Sequence, residues 1–256
     1  MGRNFYGVLR VLKSDVGTER ESRILVHGSI NHGKQFVAAG RRHDHTSYFG
    51  PESGVGLAIN ALRRSPIKVG IIGLGAGILA SYAEPGDVFR FYEINPLVEI
   101  FARTQFTYLS DASGTVDVVT GDGRLSLERE PDQDYDILVV DAFSGDSIPA
   151  HLLTRQAMEI YFRHLKPAGI LALHITNQHL DLAPVVGCLS RSLNRHAVLV
   201  ENPDNKDRGT SRSQWALITS EPLQSPTILR VARDIPYRHD IRIWTDDYSN
   251  LFQILR

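Results

Sequence analysis

Hydrophobic residues fall in short runs separated by polar and glycine-rich stretches, and the spacing of these runs predicts the secondary structure. The first forty residues carry strand-like runs at 5–12, 23–27 and 34–37, with a turn predicted at 28–33. This pattern is typical of a small antiparallel β-layer. A helix is predicted at 53–64, after a polar loop.

From residue 68 onward, strand-like and helix-like segments alternate. Two of the helices are predicted at 96–106 and 154–165, with Thr154 as N-cap of the second and 166–169 as the turn that ends it. Alternation of this kind predicts an α/β fold, with a mostly parallel sheet and helices on both faces. The predicted strands are 69–72, 88–92, 116–120, 137–140 and 170–175, followed by an antiparallel pair at 198–201 and 214–219.

The length and the charge of the chain limit its organisation and its partners. With 256 residues, 42% of them hydrophobic, the chain suits one large α/β unit with a small appendage. We therefore predict an N-terminal β-layer at 1–47 and a second domain at 48–256. The net charge of −1 gives no electrostatic reason to expect a nucleic acid or an anionic membrane as partner.

Cysteine content and the apolar runs bear on the cellular location. Cys188 is the only cysteine in the sequence, so an intrachain disulfide is excluded, and its apolar neighbours indicate an inert buried thiol. The N-terminus does not resemble a secretion signal. The longest apolar run, 69–83, contains glycines and is too short to span a bilayer. These features predict a cytoplasmic protein.

A buried strand runs directly into a glycine-rich turn that contains Gly73, Gly75 and Gly77. Glycine adopts positive φ and lets the backbone approach a ligand closely. Glu93 follows twenty residues after Gly73, where an open α/β sheet places an acid for ribose hydroxyls. The pattern predicts a nucleotide-like ligand, and the alternative is a tight turn that binds nothing.

Four acids follow successive predicted strands: Glu93, Asp122, Asp141 and Asp146. Ligands of α/β sheets bind at the carboxyl ends of the strands. By position, Glu93 would accept hydrogen bonds from ribose hydroxyls, and Asp122 would accept from the adenine amine. The backbone N–H of Gly123 would read a ring nitrogen, and Asp141 would lie at the reacting centre.

The turn reads Gly-Leu-Gly-Ala-Gly, which differs from the Gly-x-Gly-x-x-Gly of dinucleotide-binding proteins. Together with 121–123 and 166–169, it favours a ligand of the S-adenosylmethionine type. In five motifs the chain resembles the spermidine synthase (polyamine aminopropyltransferase) family, particularly its bacterial spermidine synthase-like branch. The resemblance extends to about Ser220. The motifs lie at 47–48, 71–77, 92–95, 121–123 and 136–141.

The resemblance implies a class I methyltransferase-like, Rossmann-like fold. It also implies transfer of an aminopropyl group from decarboxylated S-adenosylmethionine to a small-molecule amine in polyamine biosynthesis, without a metal and in a homodimer. Asp141 would act as the base or orienting carboxylate for the attacking amine, and Asp146 would hold the far amine. Tyr48 matches the active-site tyrosine of the family.

Two departures from the family keep alternatives open. The family carries an acid in its glycine turn that contacts the donor's tail amine, and the chain has Ala76 there. An S-adenosylmethionine-dependent methyltransferase, or another sulfonium-opening enzyme, is therefore an alternative. The loop 141–146 also contains an inserted aromatic residue. A non-catalytic module that binds the adenosyl ligand is a third hypothesis, although the presence of Asp141 and Asp146 argues against it.

Three further groups carry weaker signals. His43 and His45 are candidate metal ligands, but a substrate-gating loop beside Tyr48 is the preferred interpretation. His174 follows the fifth strand, where a satisfied core histidine is favoured over a substrate contact. Asp246 and Asp247 indicate either a capped turn or a second amine-binding wall.

Overall fold

A computed structural model of the chain describes residues 1–28, 30–63, 66–142 and 149–256. The N-terminal part forms a four-stranded antiparallel sheet in the order β1-β2-β3-β4. This arrangement agrees with the predicted β-layer, whose boundary at residue 47 stays a prediction. Its strands are β1 (Gly2–Asn4), β2 (Gly7–Ser14), β3 (Ser22–His27) and β4 (Ile30–Phe36).

The second sheet has eight strands in the order β12-β10-β11-β9-β8-β5-β6-β7. Strands β5 to β9 run parallel, and β11 pairs with β9 and with β10 in antiparallel orientation, as predicted for the late pair. The strands are β5 (Lys68–Ile72), β6 (Val88–Glu93), β7 (Thr115–Thr120), β8 (Tyr135–Val140), β9 (Leu165–His174), β10 (His196–Asn202), β11 (Ser213–Thr219) and β12 (Arg233–Asp234).

Helices connect the strands of the large sheet. The described helices are α1 (Gly54–Ala61), α2 (Pro96–Gln105), α3 (Tyr108–Asp111), α4 (Gly123–Arg129), α5 (Arg155–Arg163), α6 (Ala183–Ser192) and α7 (Pro226–Val231), with 3-10 turns at Ile78–Tyr82, Ala150–Leu152 and Leu251–Ile254. Ser53 caps α1 and Thr154 caps α5 through side-chain oxygens that accept backbone N–H groups. In the described part of the chain, no helix is long and apolar enough to cross a membrane.

The two faces of the large sheet are covered by separate hydrophobic clusters. Ile137 and Val139 of β8 pack in one cluster, whereas Leu138 and Val140 pack in the other. Burial on both faces explains why the parallel strands read as continuous apolar runs in the sequence.

The strand order reverses between β5 and β8, because the chain adds β6 and β7 on one side of β5 and then returns to add β8 on the other. Such a switch point opens a crevice at the carboxyl ends of the strands. The fold therefore brings the ends of β5, β6 and β8 to one edge, although their sequences are far apart.

Three predicted elements were wrong in their extent. The turn at 28–33 is shorter, because β4 begins at Ile30 and Gly33 continues the strand at a φ of 138°. The strand predicted at 5–12 begins two residues later, because Phe5 and Tyr6 form the turn between β1 and β2. The turn predicted at 166–169 belongs to β9, where a register shift against β8 accommodates a proline without an N–H donor.

Candidate functional site

A cavity of about 370 Å³ opens at the carboxyl ends of β5, β6 and β8. Its volume lies in the range of small-molecule sites. Strand β4 and the loop before α1 also contribute to the wall, through His32 and Tyr48. Seven of the predicted site residues line it: Tyr48, Gly73, Gly75, Glu93, Asp122, Gly123 and Asp141.

The glycine turn leaves no room for side chains at two positions. Gly73 has a φ of 104°, and a Cβ there would lie 2.3 Å from the carbonyl oxygen of Asp141. Gly75 has a φ of 55°, and a Cβ there would lie 2.5 Å from the carbonyl oxygen of His32. Both conformations favour glycine, so the turn passes tightly between β8 and β4.

Glu93 ends β6 and is 8% exposed. One carboxylate oxygen accepts from the backbone N–H of Leu74 at 3.0 Å, and the other accepts from that of Asn95 at 2.8 Å. Burial raises the pKa of Glu93 to about 7, against the opposing effect of these two donors. The carboxylate is thus fixed in the cavity wall and has lone pairs left for a ligand.

Asp122 caps α4, because its Oδ1 accepts from the backbone N–H of Leu125 at 2.9 Å. Its Oδ2 lies 3.1 Å from Nε2 of His151, which also lines the cavity. The sequence-based interpretation of Asp122 as a ligand contact and its role as a helix cap are therefore compatible, since different oxygens serve the cap and the cavity.

Asp141 lies at the other end of the cavity. Its backbone N–H donates to Ile72 at 2.9 Å, and Oδ1 lies 2.6 Å from Nδ1 of His174. A hydrogen bond also joins Asp141 to Tyr48, and burial together with this carboxylate raises the pKa of Tyr48 well above its ordinary value. Tyr48 therefore keeps its proton and donates to Asp141.

An aromatic stack supports this end of the cavity. The ring of His174 lies between Tyr48 at 4.3 Å and Trp215 at 4.7 Å, with interplanar angles of 22° and 23°. Trp215 Nε1 donates to the carbonyl oxygen of Tyr48 at 3.2 Å. Ser47 adopts a positive φ of 53°, and backbone hydrogen bonds join it to Gly209 and Ser211. These contacts fix the Tyr48 loop.

Two described residues of interest in the sequence do not line the cavity. Gly77 is the N-cap of the 3-10 turn at Ile78–Tyr82 and packs against Leu109. Ala76 is 1% exposed, and its methyl group faces Gly33 of β4, where a Cβ would lie 2.5 Å away. Asp146 lies outside the described residues.

The weaker candidates have partners of their own. Burial lowers the pKa of His45 to about 4, and its ring stacks on Tyr82 at 3.7 Å. The described residues contain no group of three or more side chains suited to a metal ion. Asp246 receives two hydrogen bonds from Arg124, at 2.7 and 2.6 Å, and one from Thr154. It therefore ties the C-terminal segment to α4 and α5.

Sequence reasoning missed several residues of the cavity wall and its support. His32 and His151 line the cavity, and Trp215 and Thr176 hold His174. His32 could have been noticed as a polar residue at the start of a strand, but nothing in the sequence indicates that β4 crosses the glycine turn. Trp215 reads as an ordinary strand residue.

Part of the chain is similar in sequence to a known protein. No family model matches the chain. A polyamine aminopropyltransferase from Vibrio vulnificus (strain CMCP6) is 36% identical over 111 residues, which cover 41% of this chain. The match spans 36% of that relative's length, or about a third of it.

Two solved structures are similar in fold. A probable spermidine synthase from Corynebacterium glutamicum ATCC 13032 gives a TM-score of 0.67 at 16% identity, covering 93% of this chain and 95% of that one. Human methyltransferase-like protein 13, solved in complex with SAH, gives 0.50 at 19% identity, covering 68% and 86%. At sequence identities this low, the similarity shows that the fold is shared and nothing more.

The fold is that of the class I methyltransferase-like proteins, with a small N-terminal β-layer, as predicted. The predicted resemblance to the spermidine synthase (polyamine aminopropyltransferase) family is also confirmed.

Proposed function

We propose that the protein is a spermidine synthase-like transferase, which moves an aminopropyl group from decarboxylated S-adenosylmethionine to an amine. One observation carries the proposal: the glycine turn, Glu93, Asp122 and Asp141 surround a single cavity at the switch point of the sheet. The name of the curated relative supports the same reaction.

The donor would bind along the cavity from Asp122 to Asp141. Adenine would lie near Asp122 and Gly123, and the ribose hydroxyls would donate to Glu93, whose oxygens are already oriented by backbone N–H groups. The sulfonium would then lie near Gly73 and Asp141, because these two residues are in contact at the end of β5 and β8.

The chemistry requires an amine to lose its proton before it attacks a carbon next to the sulfonium. The Asp141 carboxylate would take that proton and orient the nitrogen, which contributes about 10²–10⁴-fold to the rate. Alignment of nitrogen, carbon and leaving sulfur contributes further. Tyr48 would hold the carboxylate in place, since its hydroxyl donates to Asp141.

Methyl transfer from intact S-adenosylmethionine is the second candidate, and the surroundings of Ala76 favour it. Ala76 faces Gly33 at the crossing of β4, so an acid there would be buried against that strand. The acids among the described lining residues are Glu93, Asp122 and Asp141. None of these acids stands in the glycine turn, so the tail carboxylate of an intact donor would meet no like charge there.

Isothermal titration calorimetry with S-adenosylmethionine, its decarboxylated form and methylthioadenosine tests the proposal. We expect all three to bind, with the decarboxylated form tighter than the intact one. A clear preference for the intact form would replace aminopropyl transfer by methyl transfer. Binding of all three ligands without turnover of any amine would instead support the third hypothesis, a non-catalytic module that binds the adenosyl ligand. The homodimer and the cytoplasmic location stay predictions from the sequence.

A further inference from the structure

His174 is buried behind the reacting end of the cavity and contacts the proposed base directly. Its Nδ1 lies 2.6 Å from Asp141 Oδ1, and its Nε2 lies 2.7 Å from Thr176 Oγ1. The two side chains of the pair are only 5% and 9% exposed. Such a short contact inside the protein is typical of a charge-assisted hydrogen bond.

The direction of the hydrogen bonds follows from their partners. An ionised carboxylate only accepts, so Nδ1 of His174 carries a proton and donates to Asp141. Thr176 Oγ1 accepts from the backbone N–H of Gln214 at 2.8 Å, and this contact fixes the hydroxyl beside Nε2. Nδ1 donates to Asp141 whether the ring as a whole is neutral or charged.

The plane of the imidazole is fixed as well. Tyr48 and Trp215 lie against its two faces, and the hydrogen bond from Trp215 to the Tyr48 carbonyl joins the two walls. Aromatic faces stabilise a positive charge between them. The ring therefore cannot turn away from Asp141 without breaking the stack.

Other titratable groups also act on Asp141. Tyr48 faces it from the loop before α1, His32 from β4 and Glu93 from β6. His174 is a histidine in direct contact with the carboxylate, and it stands on β9, outside the motifs of the donor site.

We propose that His174 is the positioning residue that aims the Asp141 carboxylate at the proton of the acceptor amine. This inference rests on the proposed function. In the step that it serves, the amine nitrogen gives its proton to Asp141 and forms a bond to the carbon beside the sulfonium. The bond from that carbon to sulfur breaks, its electron pair stays on sulfur, and a neutral thioether leaves.

Steady-state kinetics of His174 variants test the role. In His174→Gln the nitrogen moves away from the Nδ1 position, so we expect kcat to fall about 10- to 100-fold while KM stays within about twofold of wild type. His174→Asn places an amide N–H near the Nδ1 position, and we expect it to restore most of the wild-type kcat. His196→Gln, at an exposed histidine of β10, is the matched control. A wild-type kcat in His174→Gln would overturn the inference.

Affinity for methylthioadenosine separates this inference from the proposed function. We expect it to stay within about twofold of wild type in both His174 variants, because His174 lies behind Asp141 and not along the adenosyl wall. Failure of the wild-type protein to bind methylthioadenosine would refute the proposed function instead.

Nitrogen-15 spectra of histidine-labelled protein give a readout that needs no acceptor and no turnover. We expect one ring, assigned by its loss in His174→Asn, to show a protonated Nδ1 from pH 6 to 8. Its signal should change in Asp141→Asn, where the carboxylate acceptor is gone. An unprotonated Nδ1, or a signal indifferent to Asp141→Asn, would contradict the inference even if the His174 variants fold poorly.

Discussion

The two ends of the cavity are built in different ways. The end at Gly73, Gly75 and Glu93 is made mainly of backbone, and the contacts that join the turn to the end of β6 span about twenty positions. It adjoins the other end where Gly73 contacts Asp141. The end at Asp141 is made of side chains from three distant segments, which meet in the stack of Tyr48, His174 and Trp215. The first end can bind a ligand shared by many enzymes, whereas the second can select a reaction.

The largest effect is expected from removal of the proposed base, which should change turnover at one end of the cavity without changing nucleoside binding at the other. Asp141→Asn should lower turnover by about 10²–10⁴-fold, because proton removal from the amine is lost. Affinity for methylthioadenosine should change by less than about twofold, since the backbone-built end is untouched. Steady-state kinetics and calorimetry measure the two quantities. Asp247→Asn, at an exposed acid, serves as the control, and equal loss of binding and turnover would show that the ends are not separable.

The second prediction concerns a substitution in the backbone-built end, at Gly73. In Gly73→Ala the new Cβ would lie 2.3 Å from the Asp141 carbonyl in a backbone conformation that disfavours side chains. We expect a loss of about 2–4 kcal/mol in stability or adenosyl affinity. Thermal unfolding and calorimetry check it. Gly40→Ala has no atom within 4 Å of its Cβ and is the matched control. Wild-type behaviour of Gly73→Ala would mean that the turn is wider than described.

A smaller effect is expected outside both ends, where Asp246 ties the C-terminal segment to Arg124. Arg124 is 7% exposed, so Asp246→Asn leaves a buried guanidinium with one partner fewer and should cost about 1–3 kcal/mol of unfolding free energy. Hydrogen bonds from Arg124 hold the pKa of Asp246 below its ordinary value. This contribution is therefore fully present above the ordinary pKa of about 3.9, and it is lost as the pH falls from there through the lower pKa of the folded protein.

Urea unfolding at pH 7 and pH 3 measures this difference, again with Asp247→Asn as control. Adenosyl affinity should be unchanged at pH 7. A loss of affinity in Asp246→Asn would instead support the earlier hypothesis that this acid belongs to the substrate wall.

The smallest effect concerns the protonation of Glu93. Its pKa of about 7 means that the carboxylate is ionised above that pH and accepts ribose hydroxyls best there. Affinity for methylthioadenosine should weaken about tenfold between pH 8 and pH 6. Stability should change in the opposite sense, because the folded protein binds a proton between pH 4.5 and about 7 that the unfolded chain does not. Glu93→Gln should abolish both trends, and persistence of either would assign it to another group.

The sequence predicted the backbone-built end better than the other end. The glycine turn and Glu93 are linked by a fixed spacing, and the strands that place them are continuous apolar runs, so both could be recognised locally. The contact between Asp141 and His174 depends on the pairing of β8 with β9, and the stack needs β11 as well. Such contacts have no short-range signal. The burial of Ala76 could not be predicted for the same reason, because it depends on β4 crossing the glycine turn.

Product analysis with decarboxylated S-adenosylmethionine and a panel of amines tests directly whether the protein transfers an aminopropyl group. We expect methylthioadenosine and an aminopropylated amine to form in equal amounts, and we expect Asp141→Asn to form neither while still binding the nucleoside. Formation of S-adenosylhomocysteine from intact S-adenosylmethionine, with no reaction of the decarboxylated form, would contradict the claim.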